Sequence, residues 1–207
     1  MQKIMFNDKY GLTQAVLEGR KTMTRRAVLE SVITEAYKKV SEATCEKDVD
    51  DETLDRMTDE FVFARSPFKV GEIVAVAQNL KDMGYDARDT KTISGAIWGL
   101  DHTPAWTNKM FVSASMCVHH IRITDVRIER LQEIGDEDCL REGVFLDETA
   151  PSCYHPFYTF HGSIDHDTQV GYKTPREAFA DLIDKVSGNG TWDRNPLVFV
   201  YEFELVK

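Results

Sequence analysis
Long apolar runs are missing from this 207-residue chain, which leaves no candidate for a membrane-spanning helix. Its first residues, Met1 to Asp8, lack the apolar core of a secretory leader, so the expected location is cytoplasmic and no membrane partner is expected. Cysteine is sparse. Cys45, Cys117, Cys139 and Cys153 are widely spaced and form no Cys-x-x-Cys pair, which predicts free thiols rather than a disulfide framework. Positive charge is short too: 25 Lys and Arg stand against 35 Asp and Glu, a net charge of −10. Long nucleic acid is held on a broad basic face, which this balance excludes. A small ligand, or a short segment in one pocket, is expected instead. Glycine-rich nucleotide fingerprints, a Gly-x-Ser-x-Gly elbow, internal repeats and low-complexity tracts are all absent. What is present, 42% hydrophobic and 29% charged residues, is enough for one domain over 1–207 that buries a core without staples.

The scarce cations are concentrated in one place. Gly19-Arg20-Lys21-Thr22-Met23-Thr24-Arg25-Arg26 puts four of them and two hydroxyls into eight residues. Gly11 to Glu18 before it has Leu12, Ala15 and Val16 at helical spacing, and Gly19 stands where a C-terminal glycine ends a helix. If the chain is then extended, Thr22, Thr24 and Arg26 share one face and Lys21, Met23 and Arg25 the other. A turn lets the long Lys21 side chain reach Thr24. Like charge from three arginines is expected to lower the Lys21 pKa. A lysine so tuned serves as a base, and a threonine within reach serves as a nucleophile. From the motif alone, a solvated basic turn that binds phosphate, or nothing, is the simpler reading.

Lys3 to Phe6 reads as a short strand. Residues 27–65 turn acidic and helical and read as an insertion. Val70 to Gln78 is valine-rich and predicts a strand, and 79–108 predicts a long loop or flap. Phe111 to Arg130 is the longest strand candidate, with a phase change near His119 that suggests a bulge. A short helix follows, starting at Gly135-Asp136 with Leu140 inward and ending at Gly143. After an irregular stretch, 145–173, Thr174-Pro175-Arg176-Glu177 carries the signature of a capping box with proline in the first helical position. Leu197 to Val206 is the closing strand. Strands with helices inserted between them suggest an α+β fold, a small β-barrel decorated by helices.

The ordered pieces resemble the ASCH domain family, in particular its phage- and prophage-associated members. Gly19, Lys21 and Arg26 match its Gly-x-Lys-x-x-x-x-Arg signature. Gly71-Glu72-Ile73-Val74, Ile123 to Leu131, and Trp192-Asp193-x-Asn195-Pro196 match later segments. The resemblance implies a PUA-like small β-barrel without a cofactor. It also implies one of three roles: an amidohydrolase acting on acetylated cytidine or a related modified nucleoside, a ribonuclease, or an RNA-binding module. By position it implies Lys21 as base, Thr24 as nucleophile and Glu142 as acid. Gly19, Arg20, Thr22, Arg25, Arg26 and Gln78 are the implied substrate contacts, with Gln78 standing where many members have glutamate. An accessory protein that binds another protein through the helical insertion is a further alternative.

Two other constellations compete for a role. Cys117-x-His119, His120 and Cys153-x-His155 do not match a paired-ligand spacing, so no metal is expected. Trp98, Trp106, Tyr154, Phe157, Tyr158 and Phe160 are suited to stacking on a base or to packing as satellite cores.

Overall fold
The closing strand organises the sheet. The computed structural model describes residues 1–44, 49–88, 90–93, 96–148, 157–161 and 171–206. In it the last strand, β9 (Leu197–Val206), is central to a five-stranded sheet. On one side it pairs antiparallel with β6 (His120–Arg130), and on the other with β2 (Met23–Ala27). β6 pairs with β3 (Ile73–Val76), and β3 runs parallel to β1 (Lys3–Ile4), giving the order β1-β3-β6-β9-β2. The ladder slips between Ile123 and Asp125, so the bulge lies four to six residues beyond His119.

The expected small β-barrel is overturned. The chain is α+β, but the sheet is mixed and open, with β1 and β2 as its two unpaired edges. Closure requires a ladder between the edges, and β1, two residues long, is too short to supply one. Side chains bridge the gap instead. The Arg26 guanidinium donates to the Met5 carbonyl just past β1, and Phe6 packs against Phe203 of β9.

Six α-helices surround the sheet among the described residues. α1 (Leu12–Leu17) follows β1. The insertion is a pair, α2 (Glu30–Thr44) and α3 (Asp51–Ala64), joined to the main core through Ala36 and Val62. Asp50 caps α3 by accepting from the Thr53 amide at 2.7 Å. α4 (Asp136–Arg141) buries Cys139, while Leu140, expected inward, is 39% exposed. α5 (Pro175–Ser187) is capped by Thr174, whose hydroxyl accepts from the Glu177 amide. The Glu177 carboxylate reaches back to the Lys173 amide, one residue before the position of a standard capping box. A four-residue turn of helix, α6 (Thr191–Arg194), precedes β9.

The expected flap is a separate layer. A hairpin, β4 (Thr90–Ile93) and β5 (Ala96–Gly99), leads into four one-turn 3-10 segments between Leu100 and Met116. Leu80, Leu100, Val112 and Cys117 form a satellite core beneath them. β7 (Phe145–Leu146) and β8 (Tyr158–Thr159) pair within the irregular stretch. Among the described residues no helix is long and apolar enough to cross a membrane.

Candidate active site
The site begins at the end of α1. The Arg20 amide donates to the Ala15 carbonyl at 2.9 Å and the Gly19 amide to Val16 at 3.0 Å, the paired bonds of a glycine-terminated helix. Gly19 sits at φ 74°, which costs other residues steric strain. The reversal separates the cations: Arg20 turns outward to pair with Glu18, and Lys21 turns in. At only 2% exposure, Lys21 is one of the most buried charged residues in the chain.

Its partner comes from the end of α4. Gly143, at φ 112°, stops that helix, and a Cβ there would meet Leu12 Cδ2 at 3.0 Å. The residue before it, Glu142, presents two acceptors to one ammonium. Lys21 Nζ donates to the Glu142 carbonyl and to its Oε2, each at 2.6 Å. Arg25 Nη1 donates to the other carboxylate oxygen at 3.2 Å, and Nη2 reaches Glu129 at 2.6 Å and Asp138 at 2.9 Å. Arg127 continues the chain to Asp138 at 2.9 Å and Glu202 at 2.6 Å, and Arg141 meets Glu202 at 2.7 Å. Lys21, Arg25, Arg127 and Arg141 thus join Glu129, Asp138, Glu142 and Glu202 in one network, and Arg127 also reaches Asp125 at 3.5 Å.

Burial pushes the Lys21 pKa down, because the ammonium loses its hydration. Glu142 opposes that shift, and Arg26 and Arg25 add to it only as minor causes. The lowering expected from the arginines therefore has a different main source. In a fully buried lysine–carboxylate pair the proton can sit on either partner without changing the net charge. One arrangement is ammonium with carboxylate; the other is amine with carboxylic acid.

A cavity of about 250 Å³ opens beside this pair. Lys21, Thr24, Arg25, Arg26 and Glu142 form its polar wall, and Leu12 with Leu182, Ile183 and Val186 of α5 its apolar wall. Phe6 lies between, with Lys21 Nζ 5.9 Å and the Arg26 guanidinium 5.8 Å from its ring centre. The cavity fills the gap where the sheet fails to close. Thr24, Arg25 and Arg26 of the edge strand β2 all line this space. Thr24 is 5% exposed. Its hydroxyl has no hydrogen-bond partner among the described residues and is not sealed from solvent. No hydrogen bond joins it to Lys21.

The remaining predicted contacts lie elsewhere. Gly19 and Arg20 are at the outer turn, and Thr22 accepts from Arg141 Nε at 3.2 Å. The strand following Gly71 contributes nothing to the cavity. Gln78, at its end, lines a different cleft with His119. Cys117 belongs to the satellite core, and Trp106 packs against it. Phe157 and Phe160 are buried. Cys45, Cys153, Tyr154 and His155 lie outside the described residues, as does the side chain of Trp98. Among the described residues no three metal-ligating side chains cluster. Glu129, Asp138 and Glu202, which hold the arginines, were missed by the sequence reading. Their signal was present: Glu202 and Glu204 are the two charges in an otherwise apolar strand, and Glu129 alternates with Arg127 along β6.

No protein-family model matches the chain, and neither curated proteins nor solved structures give a match. Chemical inference therefore starts from the cavity itself. It contains the buried Lys21–Glu142 ion pair, an uncommitted hydroxyl, a guanidinium and an apolar wall.

Proposed function
We propose that the chain is an amidohydrolase of ASCH type that removes the acyl group from the exocyclic amine of a modified nucleoside, acetylated cytidine first among the candidates. One observation carries this reading: Lys21 is buried against Glu142 with a lowered pKa, in the same cavity wall as the unpartnered Thr24 hydroxyl. Similarity of the first motif to the ASCH family supports the choice of substrate. The open sheet removes the barrel as an argument, so the reading rests on the site residues.

The reaction begins from the amine–carboxylic acid form of the pair. Lys21 takes the Thr24 hydroxyl proton as Thr24 Oγ bonds to the acyl carbon. Arg26 offers N–H donors to the oxygen that gains charge. The carbon–nitrogen bond then breaks, and the departing amine takes the proton of Glu142. Lys21 is now an ammonium, Glu142 a carboxylate, and Thr24 an ester. Water attacks that ester while Glu142 takes its proton. The ester bond breaks, Thr24 recovers its proton from Lys21, and the acid product leaves with the pair restored. Phe6 offers a ring face and the α5 wall excludes water.

A non-catalytic reading is favoured by one feature, the continuous ion-pair network that engages Lys21, Arg25 and Glu142, which would serve structure alone. Incubating the purified protein with acetylcytidine separates the two. Turnover is expected for the wild type and a loss of about 100-fold or more for Lys21→Arg, because arginine stays protonated and cannot act as base. A wild type without turnover, or a fully active Lys21→Arg, leaves Lys21 as a structural contact.

A further inference from the structure
The cavity beside Lys21 meets the main chain of β2 as well as its side chains. β2 pairs with β9 along one edge only. In an antiparallel ladder, residues alternate between turning both N–H and C=O toward the partner strand and turning both away. The Phe203 amide donates to the Thr22 carbonyl at 2.9 Å and the Val28 amide to the Leu197 carbonyl at 2.9 Å, so Thr22 and Val28 face β9. The register between them is unbroken. Thr24 and Arg26 therefore face β9 too, and Arg25 and Ala27 turn their N–H and C=O to the open edge.

Arg25 shows that this edge is reached from the cavity. The residue as a whole is 6% exposed but its side chain only 1%, so its accessible surface lies on the main chain. Arg25 and Ala27 both line the cavity. Neither main-chain group of Arg25 has a hydrogen-bond partner on the open side among the described residues. The opposite rim differs. There the Met5 carbonyl accepts from Arg26, the Phe6 carbonyl from Lys109 and Thr13, and the Asn7 carbonyl from the Leu12 amide at 3.0 Å. Of the two edges that flank the gap, β2 is the one with a complete donor–acceptor pair to offer. Nearly buried main-chain groups are almost always matched, so this pair calls for a ligand.

The N–H and C=O of one edge residue point the same way. They match a ligand that carries an acceptor and a donor on neighbouring atoms of one edge. An N-acylated amino-heteroaromatic ring has that edge, because the ring nitrogen accepts and the amide N–H beside it donates. Resting on the amidohydrolase reading, we propose that the Arg25 main chain is the subsite that selects this substrate class. Its N–H donates to the ring nitrogen of the acylated cytosine, and its C=O accepts from the exocyclic amide N–H. This pairing sets the scissile amide beside Thr24, the preceding residue of β2. An acylated alkylamine, which has no ring nitrogen, leaves the Arg25 N–H unmatched and is disfavoured.

Calorimetry and heteronuclear NMR on the full-length Thr24→Val protein, which is expected not to consume the ligand, test this. The probes are acetylcytidine, its 3-deaza analogue with C–H in place of the ring nitrogen, and its N-methyl analogue without the amide N–H. Acetylcytidine is expected to move the Arg25 amide proton downfield, and the 3-deaza analogue to leave it in place. Each analogue should bind about tenfold or more weakly than acetylcytidine, since it leaves a nearly buried main-chain group unmatched. Where Thr24→Val fails to fold, the ratio of wild-type kcat/KM between acetylcytidine and the 3-deaza analogue reads the same difference. Equal affinity for the three probes, or an unmoved Arg25 amide, would overturn the subsite; turnover of acetylcytidine by the wild type would then leave the amidohydrolase reading standing. Neither binding nor turnover of acetylcytidine would overturn both.

Discussion
Lys21 is buried by its own turn and ion-paired with Glu142, and both facts have consequences for stability. Removing one member of a buried pair strands the other. Lys21→Ala leaves Glu142 with Arg25 as its remaining side-chain donor, so a loss of roughly 3–5 kcal/mol is expected in urea unfolding. Replacing both, Lys21→Met with Glu142→Leu, should recover much of that loss, because neither desolvated charge remains. A double variant as unstable as Lys21→Ala would mean that the pair contributes through packing rather than charge. The lysine and its motif were legible in the sequence because four cations in an acidic chain stand out. Its burial was not. It depends on the Glu142 carbonyl and carboxylate arriving from α4, more than a hundred residues away, and no local pattern encodes that meeting.

Among the elements, α4 carries the acid and is only six residues long. Its N-terminus has no side-chain cap, so it is held by burial of Cys139 and by bonds of Asp138 to Arg25 and Arg127. Burial pushes the Cys139 thiol up from 9.0 to about 12. The folded chain therefore keeps this proton where the unfolded chain has lost it. The thiol's contribution is full below about pH 9 and declines as pH rises toward about 12. Lys21, lowered on folding, acts in the opposite sense at alkaline pH, so the comparison with Cys139→Ala isolates the thiol. Unfolding curves of the two proteins should converge as pH is raised from 9 to 12. Parallel curves would contradict the assigned burial effect. The inward residue of α4 was misread as Leu140 because a six-residue helix gives too few turns to fix the phase of its buried face. Longer elements were easier: β9 was read to its final residue bounds, and α5 was marked by its threonine cap and first-turn proline.

For the whole molecule, the decisive error of the sequence reading was closure. Strand order and pairing partners are long-range properties, and a barrel and an open sheet share the same alternation along each strand. The two-residue length of β1 leaves the edges apart, and that gap is the cavity. Charge is also settled at this scale. Lys21 and Arg25 are spent on internal carboxylates, and Arg20 pairs with Glu18, so the basic motif offers little to a phosphate backbone. Fluorescence anisotropy with a long single-stranded RNA at physiological salt should show weak and strongly salt-dependent binding at most. Tight binding there would require a basic face that the ion-pair network does not provide.

The central claim is that Thr24 is the nucleophile served by the Lys21–Glu142 pair. Its most direct test is the acetylcytidine turnover of Thr24→Ser and Thr24→Val measured beside the wild type. Both replacements preserve most of the side-chain volume, and only the first preserves the hydroxyl. The account predicts that Thr24→Ser keeps activity within about tenfold of the wild type, while Thr24→Val loses about 100-fold or more. Full turnover by Thr24→Val, or none by the wild type, would contradict it.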